Sequence, residues 1–316
     1  MFQGMEYVYE VYTEKSFSRA AQKLFISQPY LSAAVKRVEK KVGYPIFDRS
    51  TKPLGLTECG EKYIRSVERI LSIENEFSDF VNDWGDLKSG SLILGGSSLY
   101  SSWVLPALMG EFAHLYPAVK LVLVEESTGR LEELLQRGGV DLVMDNSSLD
   151  KSRFERRVFQ EEYLLLAVPR KFAVNGGLCS FQLSEEAVRS RTFLDPAVPP
   201  VPLDAFREEP FIILKPDNDT GKRGTELCLS YGFEPKVLFE LDQQMTSYNI
   251  TCSGMGISFI SDTLISRVPP NPEVVYYKLG GDRSRRELSF YWKRGRYFSR
   301  AMEELLKIAG KQGQSD

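Results

Sequence analysis

The chain has 316 residues, of which 42% are hydrophobic and 26% charged, so it can bury the cores of two or three domains and is not largely disordered. A single histidine argues against a histidine-based catalytic triad and against a multi-histidine metal site. Residues 1–65 hold 11 lysines and arginines against 7 acidic residues, whereas the remainder holds 29 against 36, and this contrast suggests a small nucleic-acid-binding module on a body of another purpose.

The first predicted elements are three closely spaced helices over residues 5–42, where apolar residues recur at helical intervals. Ser18 is predicted to cap the second helix and Ser27 the third. Pro29 lies in the first turn of the third helix, where proline costs no hydrogen bond, and Gly43 stands where a helix end favours a left-handed residue.

A small hairpin and a long helix are predicted next. Residues 45–57 contain two short extended pieces around a Pro/Lys turn, which is typical of a hairpin. A helix is predicted over residues 58–87, with apolar residues at alternating three- and four-residue steps: Val67, Ile70, Phe77, Val81 and Trp84. So long a stripe has little chain around it to cover it, so we expect the helix to pack against a second copy. The alternative is a helix buried on its own domain.

From residue 90 onward, predicted strands alternate with predicted helices in two series of similar length. The strands are expected at 91–96, 120–125, 141–144, 211–214, 237–241 and 256–260, and the helices at 101–116, 129–137, 222–231 and 243–252. Residues 158–169 are expected to cross between the two series and 262–270 to return, before pieces at 273–279, 287–292 and 297–309 complete the first lobe. This pattern predicts two α/β lobes around a cleft.

One motif stands out near the N-terminus. Its elements are Ser16-Phe17, Ala20-Ala21, Leu24, Ser27-Gln28-Pro29, Ser32, Glu39, Gly43, Phe47, Arg49, Leu56-Thr57 and Gly60. This pattern resembles the winged helix-turn-helix of LysR-type transcriptional regulators, with matching spacing throughout. Further along, the pieces similar to that family's effector domain are the strand that opens at Leu92, Leu105-Pro106, Phe112 with Tyr116-Pro117, Asp141-Leu142 and Gly254-Met255-Gly256-Ile257-Ser258.

The resemblance covers nearly the whole chain and implies its organisation. It implies an α/β protein with a winged helix-turn-helix DNA-binding domain at residues 1–60 and a linker helix for dimerisation at 61–89. A two-lobed effector domain of the periplasmic-binding-protein type would follow. Lobe I would comprise residues 90–162 and 268–310, and lobe II residues 163–267.

Contacts to DNA are predicted on the third helix and the wing. A recognition helix enters the major groove with small, polar side chains at its N-terminal end, and a glutamine amide can pair with an adenine edge. The predicted DNA-binding residues are Ser27, Gln28, Pro29, Tyr30, Ser32, Lys36, Arg49 and Lys52. Two interpretations of Arg49 stay open, a phosphate contact or a structural ion pair. Ala33 stands where the resembled family often has a basic or polar residue, so Tyr30 or Lys36 would carry more of the specificity.

An effector is expected in the cleft, because ligands of such bodies lie at the carboxyl ends of the strands. The predicted effector-binding residues are Ser97, Ser98, Thr128, Leu214, Lys215 and Gln243. The alternative is that Ser98 and Thr128 only cap helices. The expected ligand is a small polar or anionic metabolite, although Glu125 and Glu126 argue against assuming a carboxylate.

These observations favour a transcriptional regulator of LysR type. It would bind an inverted-repeat operator on double-stranded DNA as a homodimer or homotetramer, and would respond to a small-molecule effector. The chain contains no nucleotide-binding loop and no nucleophile elbow, so we expect no cofactor, no metal, no catalytic residue and no enzymatic activity. Two alternatives stay open. One is an α/β binding protein or enzyme that uses its N-terminal domain only for assembly, and the other is a regulator that senses redox state or a protein partner.

The expected location is the cytoplasm, in association with the nucleoid. The N-terminus lacks the basic start and apolar core of a secretion signal, and no apolar run approaches the roughly 18 residues of a membrane helix. The four cysteines are dispersed and form no CxxC pair, which favours a reducing compartment. We therefore expect no membrane partner.

Overall fold

The structure, a computed structural model, describes residues 1–83 and 90–312. It divides into two compact units, the first comprising Met1–Ser78 with Arg137–Gly139, and the second comprising Asp79–Gln136 with the chain from Val140 onward. Trp84 and the rest of the predicted linker helix up to residue 89 lie outside the described residues. Within the described ranges, no helix combines the length and the apolar character needed to cross a membrane.

The first unit has the order of elements that the sequence predicts. Its elements are α1 (Met5–Glu14), α2 (Phe17–Lys23), α3 (Gln28–Val42), β1 (Phe47–Asp48), β2 (Gly55–Leu56) and α4, which is described over Glu58–Asp83 and so continues into the second unit. Strands β1 and β2 pair antiparallel and form the small hairpin. Three helices followed by this hairpin confirm the winged helix-turn-helix.

Helix boundaries in this unit follow local capping. The Ser27 hydroxyl accepts a hydrogen bond from the Tyr30 N–H at 3.3 Å, and Gly43 ends α3 with φ of 90°, both as predicted. The predicted cap of α2 is wrong, because Ser16 and not Ser18 occupies the N-cap position and accepts from the Arg19 N–H at 3.4 Å. The helix begins two residues earlier than expected, so Ser18 lies inside its first turn.

A single apolar core holds α1 to α4 and the wing together. Its buried members are Val8, Val11, Ala20, Ala21, Leu31, Val35, Val38, Ile46, Phe47, Tyr63, Ile64 and Val67. Each aliphatic side chain buried in this way contributes about 1.5–3 kcal/mol relative to an exposed one. Gly60 allows α4 to pass close to the wing, because a Cβ at this position would lie 2.0 Å from the Ile46 carbonyl oxygen. Any larger residue there would push α4 away from the hairpin.

The second unit begins with alternating strands and helices. Its first elements are β3 (Ser91–Gly96), α5 (Ser98–Trp103), α6 (Leu105–Leu115), β4 (Lys120–Glu125), α7 (Thr128–Arg137), β5 (Leu142–Asp145) and β6 (Phe154–Pro169). The single helix predicted over residues 101–116 is two helices that meet at Val104. Pro106 lies in the first turn of α6, where its missing N–H is tolerated, whereas it would interrupt one continuous helix.

The remaining elements are β7 (Gln182–Leu183), α8 (Glu185–Arg189), β8 (Pro210–Leu214), α9 (Asp219–Ser230), β9 (Lys236–Leu241), α10 (Gln244–Cys252), β10 (Ile257–Ser261), α11 (Asp262–Arg267), β11 (Val274–Lys278), β12 (Arg285–Lys293) and α12 (Arg300–Gln312). The predicted elements among them follow in the predicted order with small shifts of their bounds, whereas β7, α8 and α11 were not predicted. The helix and strand content is that of an α/β body.

One mixed sheet runs through both lobes in the order β4-β3-β5-β12-β6-β10-β8-β9. The first half of β6 pairs with β12 and its second half pairs with β10 and β11, so β6 crosses between the lobes as predicted. The predicted return at residues 262–270 is wrong, because α11 occupies that segment and β11 still pairs with the second half of β6. The chain returns between β11 and β12, which moves the lobe boundary expected at residue 268 to about residue 285.

Strand β6 separates two apolar cores, because successive side chains of a strand point to opposite faces. Leu165 and Ala167 belong to a core that includes the buried faces of α5, α6 and α12. Leu164, Leu166 and Val168 belong to a second core, which includes Phe211, Leu227 and Phe259. Both faces of the second half of β6 are therefore buried, whereas most of its first half is exposed or partly exposed. The sheet around β6 positions the loops at the carboxyl ends of β3, β4, β5, β8 and β9.

Candidate nucleic-acid interface and effector cleft

Helix α3 presents a row of polar side chains to solvent. Gln28, Ser32 and Lys36 follow one another at four-residue intervals and therefore share one face of the helix. Gln28 and Lys36 are exposed and Ser32 is partly exposed. The residues that α3 buries in the core of the first unit are Leu31, Ala34, Val35 and Val38. The polar row thus offers an amide, a hydroxyl and an ammonium group in a line on an exposed surface.

Ser27 and Pro29 shape the beginning of this row. The Ser27 oxygen accepts the capping hydrogen bond, so the Ser27 hydroxyl proton is left to donate to another group. Pro29 is exposed in the first turn, and the Gln28 Oε1 atom accepts from the Ser18 hydroxyl at 3.4 Å. The start of α3 is therefore preorganised, with one amide oriented by α2.

Tyr30 lies on a different face of α3 from the polar row. Its ring packs edge-on against Tyr7 with 6.2 Å between ring centroids, and the Arg37 guanidinium lies 5.9 Å from the Tyr30 ring centroid. The hydrogen bond with Tyr30 raises the pKa of Tyr7. Of the two residues expected to compensate for Ala33, Lys36 lies on the polar row and Tyr30 is held by contacts within the first unit.

The wing carries two of the predicted cations in different settings. The Arg49 Nη2 atom lies 3.4 Å from the Glu39 Oε2 atom, and the Arg49 guanidinium lies 5.2 Å from the Phe17 ring centroid. Arg49 thus has the ion pair that its structural interpretation requires, while its contact with DNA stays a prediction. Lys52 is exposed between β1 and β2, and no hydrogen bond or ion pair of its ammonium group is found within the described ranges.

Glu39 joins the recognition helix to the wing, a role that the sequence did not reveal. Its Oε1 atom accepts hydrogen bonds from the Ile46 N–H at 2.9 Å and the Phe47 N–H at 3.3 Å. With the Arg49 ion pair, one carboxylate contacts three groups of the hairpin. The orientation of the wing relative to α3 therefore depends on Glu39.

Phe25 is a second residue that sequence reasoning missed. It lies in the turn between α2 and α3, is 95% exposed and has φ of 54°, a left-handed conformation that is unfavourable for a bulky side chain. The signal in the sequence was the apolar triplet Leu24-Phe25-Ile26 in a two-helix turn, where not every member can face the core. An exposed aromatic ring thus stands beside the N-terminus of the recognition helix.

In the second unit, half of the predicted effector residues meet in one narrow cleft. Ser97, Thr128 and Gln243 lie there together, but the cavity between the lobes measures only about 20 Å³, which leaves room for about one water. Leu214 is buried in the sheet, and the Lys215 ammonium pairs with the Asp242 Oδ1 atom at 2.8 Å. The residues lining the cleft are Ser97, Ser127, Thr128, Asp217, Asn218, Asp242 and Gln243, so Ser98, Leu214 and Lys215 are not among them.

The polar groups of the cleft face carboxylates. The Thr128 hydroxyl donates to the Asp145 Oδ2 atom at 3.0 Å, and burial raises the pKa of Asp145. Ser97 occupies the N-cap position of α5, but its side chain makes no capping hydrogen bond. With Asp217 and Asp242 on the opposite wall, the cleft is acidic, which disfavours an anionic ligand at this position.

A buried ionic cluster lies beside the cleft. The Arg286 Nη2 atom lies 2.7 Å from the Glu162 Oε2 atom, and its Nη1 atom lies 3.0 Å from the Asp219 Oδ2 atom. The Tyr100 hydroxyl donates to Glu162 at 3.2 Å and accepts from the Asn146 amide at 2.6 Å. The side chains of Arg286 and Glu162 are 1% and 0% exposed. We call these five residues the hinge cluster.

The hinge cluster connects the two lobes through the crossing strands. Tyr100 and Asn146 belong to the first lobe, Asp219 begins α9 of the second lobe, and Glu162 and Arg286 face each other on β6 and β12. Burial alone would raise the pKa of Glu162, but the Arg286 charge and hydrogen bonds hold that pKa below its ordinary value. The sequence signal was weak, since Glu162 follows Glu161 and Arg286 follows Arg285, and the sequence does not tell which member of each pair is buried.

Comparisons with known proteins agree with this architecture. Residues 2–61 match the family described as bacterial regulatory helix-turn-helix protein, lysR family, and residues 85–314 match the LysR substrate binding domain. An uncharacterized HTH-type transcriptional regulator, YcgK of Bacillus subtilis, is 27% identical over 96% of this chain and 92% of its own length. A probable RuBisCO transcriptional regulator of Guillardia theta is 27% identical over 92% of this chain and 89% of its own.

Solved structures share the fold over the whole chain. The crystal structure of CbnR, a LysR family transcriptional regulator, matches this chain with a TM-score of 0.66 at 16% identity, and the match covers 100% of both chains. Full-length CbnR complexed with its target DNA has a TM-score of 0.63 at 17% identity and covers 99% of both chains. Because the substrate binding domain alone matches well over half of the residues and the helix-turn-helix matches most of the rest, this protein belongs to the LysR family of transcriptional regulators.

Proposed function

We propose that the protein binds an inverted-repeat operator through α3 and the wing of paired first units. The observation that carries this proposal is the polar row of Gln28, Ser32 and Lys36, which α3 exposes along one face beside an exposed wing lysine, Lys52. A helix of this kind inserts its N-terminal half into the major groove, where an amide can pair with an adenine edge. The structure of CbnR with its target DNA supports the proposal by analogy of fold.

The predicted contacts divide into two classes. Gln28 and Ser32 would read base edges, since both are neutral groups near the start of α3. Lys36 and Lys52 would contact phosphates, which adds affinity without sequence preference. Arg49 would act mainly by holding the wing through Glu39, and Tyr30 by packing on Tyr7. Ser27 would both cap α3 and donate its free proton to a phosphate.

The test compares Gln28→Ala with Lys52→Ala on a duplex that the wild-type protein selects. Gln28→Ala should reduce discrimination between this duplex and one with a changed base pair by about 1–3 kcal/mol. Lys52→Ala should instead weaken binding to both duplexes and lower the slope of log K against log salt by about 0.9. Gln22→Ala, an exposed glutamine of α2, serves as the matched control. Unchanged discrimination in Gln28→Ala would overturn the placement of the recognition helix.

Self-association is proposed through α4. The apolar residues predicted along α4 differ in burial. Val67 is buried in the core of the first unit, whereas Phe77 and Val81 are exposed. Ile73 and Phe77 are 66% and 67% exposed and lie four residues apart on one face of α4. A second copy of α4 would cover this face, whereas the part of the helix around Val67 is buried on its own unit. Together the two copies would place two recognition helices on one duplex.

A further contact between copies is proposed at the edge of the sheet. Strand β9 is the last strand of the sheet and exposes Val237, Leu238 and Phe239. An exposed apolar edge strand is a ready site for association, and natural proteins normally cover such edges. Effector domains paired here, in addition to paired α4 helices, would give the homotetramer.

Regulation is proposed to act through the two lobes. The lobes are joined by β6 and by the chain between β11 and β12, so a ligand that binds one arrangement of the lobes better than another shifts their populations. Such a shift would change the placement of the two DNA-binding units. We further propose that the second unit binds its small molecule without converting it, which the match to the family's substrate binding domain supports, and that the protein acts in the cytoplasm.

Redox sensing is less well supported. All four cysteines are free thiols, and burial raises the pKa of the Cys252 thiol and raises that of Cys228 to about 12. A redox-sensing cysteine needs a lowered pKa instead, because the thiolate is the form that reacts with oxidants. DNA binding that stays the same with and without a thiol reductant would agree with this, whereas reductant-dependent binding would favour the redox interpretation.

A further inference from the structure

A second cavity in the effector domain differs from the predicted cleft in size and charge. It measures about 410 Å³, within the range of small-molecule pockets, whereas the predicted cleft measures about 20 Å³. We call it the basic cavity. It is lined by Asn146, Ser147, Ser148, Lys151, Arg156, Arg223, Asp282, Arg285, Arg286, Glu287 and Tyr291. Five of these side chains are cationic and two are acidic.

The cations differ in how firmly they are already engaged. Arg286 is buried in the hinge cluster, and Arg223 pairs with Asp219 at 2.7 Å and donates to two backbone carbonyls. Arg156 pairs with Glu287 at 2.7 Å and Arg285 with Glu161, both at exposed positions where an ion pair is weak and exchangeable.

Lys151 is the least engaged cation. In the part of the chain that the structure describes, no hydrogen bond or ion pair is found for the Lys151 ammonium group or for the hydroxyl of Ser148. The cavity therefore combines one free ammonium, a free hydroxyl and two exposed guanidinium groups. These are donors suited to an anion.

The basic cavity is lined by residues from both lobes of the effector domain. Lys151 and Ser148 come from the connection between β5 and β6 in the first lobe, Arg223 lies on α9 of the second lobe, and Arg285 lies at the start of β12 where the chain returns. The Asn146 amide links the cavity to Tyr100 and Glu162 of the hinge cluster. A ligand held by all these groups would contact both lobes beside the hinge cluster. It would therefore stabilise the arrangement of the two lobes that it binds best.

We propose that the basic cavity binds a small, multiply charged anion, bearing phosphate or carboxylate groups, and that this anion is the effector. This inference rests on the proposed regulatory function and names the site and ligand class for it. It places the effector at Lys151, Arg156 and Arg285 instead of at the acidic walls of Ser97 and Thr128. A multiply charged ligand is required because it must displace Glu287 and Glu161 from their arginines.

The first test measures binding of pyrophosphate and of citrate to the full-length protein by calorimetry. The buffer is held at an ionic strength of about 0.15 M, where exposed charges more than about 8 Å apart are screened from one another. Acetate serves as the singly charged probe. We expect saturable binding of pyrophosphate, citrate or both, and at least tenfold weaker binding of acetate. The preferred probe tells a phosphate ligand from a carboxylate ligand.

The variants locate the site. Lys151→Gln and Arg156→Gln should each weaken binding about tenfold or more, since each removes one charge-assisted hydrogen bond. Lys120→Gln, an exposed lysine of β4, is the matched control, and Ser97→Ala tests the predicted cleft; neither should change the affinity. Lys151 makes no ion pair among the described residues, so its loss should leave the fold intact, and circular dichroism checks this.

Three results would overturn the proposal. One is no saturable binding of either probe up to about 10 mM, and another is equal loss of affinity in Lys120→Gln. The third is loss of affinity in Ser97→Ala but not in Lys151→Gln, which would return the effector to the predicted cleft. Selection of DNA by the same protein is measured separately. Sequence-specific DNA binding without anion binding would refute the basic cavity alone, and anion binding without DNA selection would refute the operator proposal alone.

Discussion

Replacing Arg286 by methionine tests the hinge cluster. The substitution keeps the length and bulk of the side chain but removes a cation that lies 2.7 Å from Glu162 and 3.0 Å from Asp219. Glu162 is fully buried and would be left without its counter-charge, whereas Asp219 keeps its ion pair with Arg223. Breaking a buried pair by removing one partner costs about 3–5 kcal/mol, so we expect Arg286→Met to destabilise the protein by about this amount.

The expected loss depends on pH in a defined direction. In the wild-type protein the pKa of Glu162 is lowered, so its contribution is present above its unfolded pKa and is lost as the pH falls through its folded pKa. In Arg286→Met, burial without the cation would raise the pKa of Glu162, so the variant loses stability as the pH rises above about 4.3. The difference between the two proteins should be widest above about pH 6 and smallest below about pH 4.

The assay is urea unfolding followed by tryptophan fluorescence, since Trp103 and Trp292 both pack against a core of the second unit. With a slope of about 3 kcal/mol/M, the expected loss shifts the midpoint by more than about 1 M. Arg285→Gln, the exposed neighbour, is the control and should change stability by less than about 1 kcal/mol. The double variant Glu162→Leu with Arg286→Met should recover most of the loss. A loss below about 1 kcal/mol, or one independent of pH, would refute this reasoning.

Three further predictions concern other parts of the chain. Phe77→Ala should weaken self-association about 100-fold in sedimentation experiments, because each of the two copies loses about 1.5 kcal/mol of burial free energy from its ring. Tyr44→Ala, at another exposed position, should leave self-association unchanged, and equal effects of the two variants would contradict the α4 interface. Phe25→Asn should stabilise the first unit by about 1 kcal/mol by relieving its left-handed backbone, yet weaken DNA binding, and unchanged binding would exclude a contact there. Burial raises the pKa of Asp262 to about 6, so stability should fall as the pH rises from about 4 to 6, and Asp262→Asn should remove this dependence in urea titrations.

The first unit could be predicted almost completely from its sequence. Its helices are amphipathic and its caps are local, so Ser27, Pro29 and Gly43 specified the ends of α3 without knowledge of distant residues. The wrong choice of Ser18 over Ser16 shows the limit of this reasoning. Both serines can cap a helix, and the sequence does not tell that α2 begins at Phe17, directly after Ser16. The contact of Glu39 with the wing depends on tertiary packing and could not be read from spacing.

The effector domain was harder to predict because its site depends on pairings between distant segments. Strand β11 reads like any short apolar strand, and only its pairing with the end of β6 places it in the second lobe. The predicted cleft follows a general rule for parallel sheets, and the rule placed Ser97, Thr128 and Gln243 together. It could not show that Asp217 and Asp242 line this cleft, or that cations from the β5–β6 connection, α9 and β12 line a larger cavity.

The most direct test of the central claim is selection of bound duplexes from a random DNA library by the purified full-length protein at physiological salt, with and without the anions that bind it. The proposed function predicts enrichment of a sequence with dyad symmetry, and loss of preference at one position of each half-site in Gln28→Ala. Weak, salt-sensitive binding without any enriched sequence under either condition would contradict the operator-binding account.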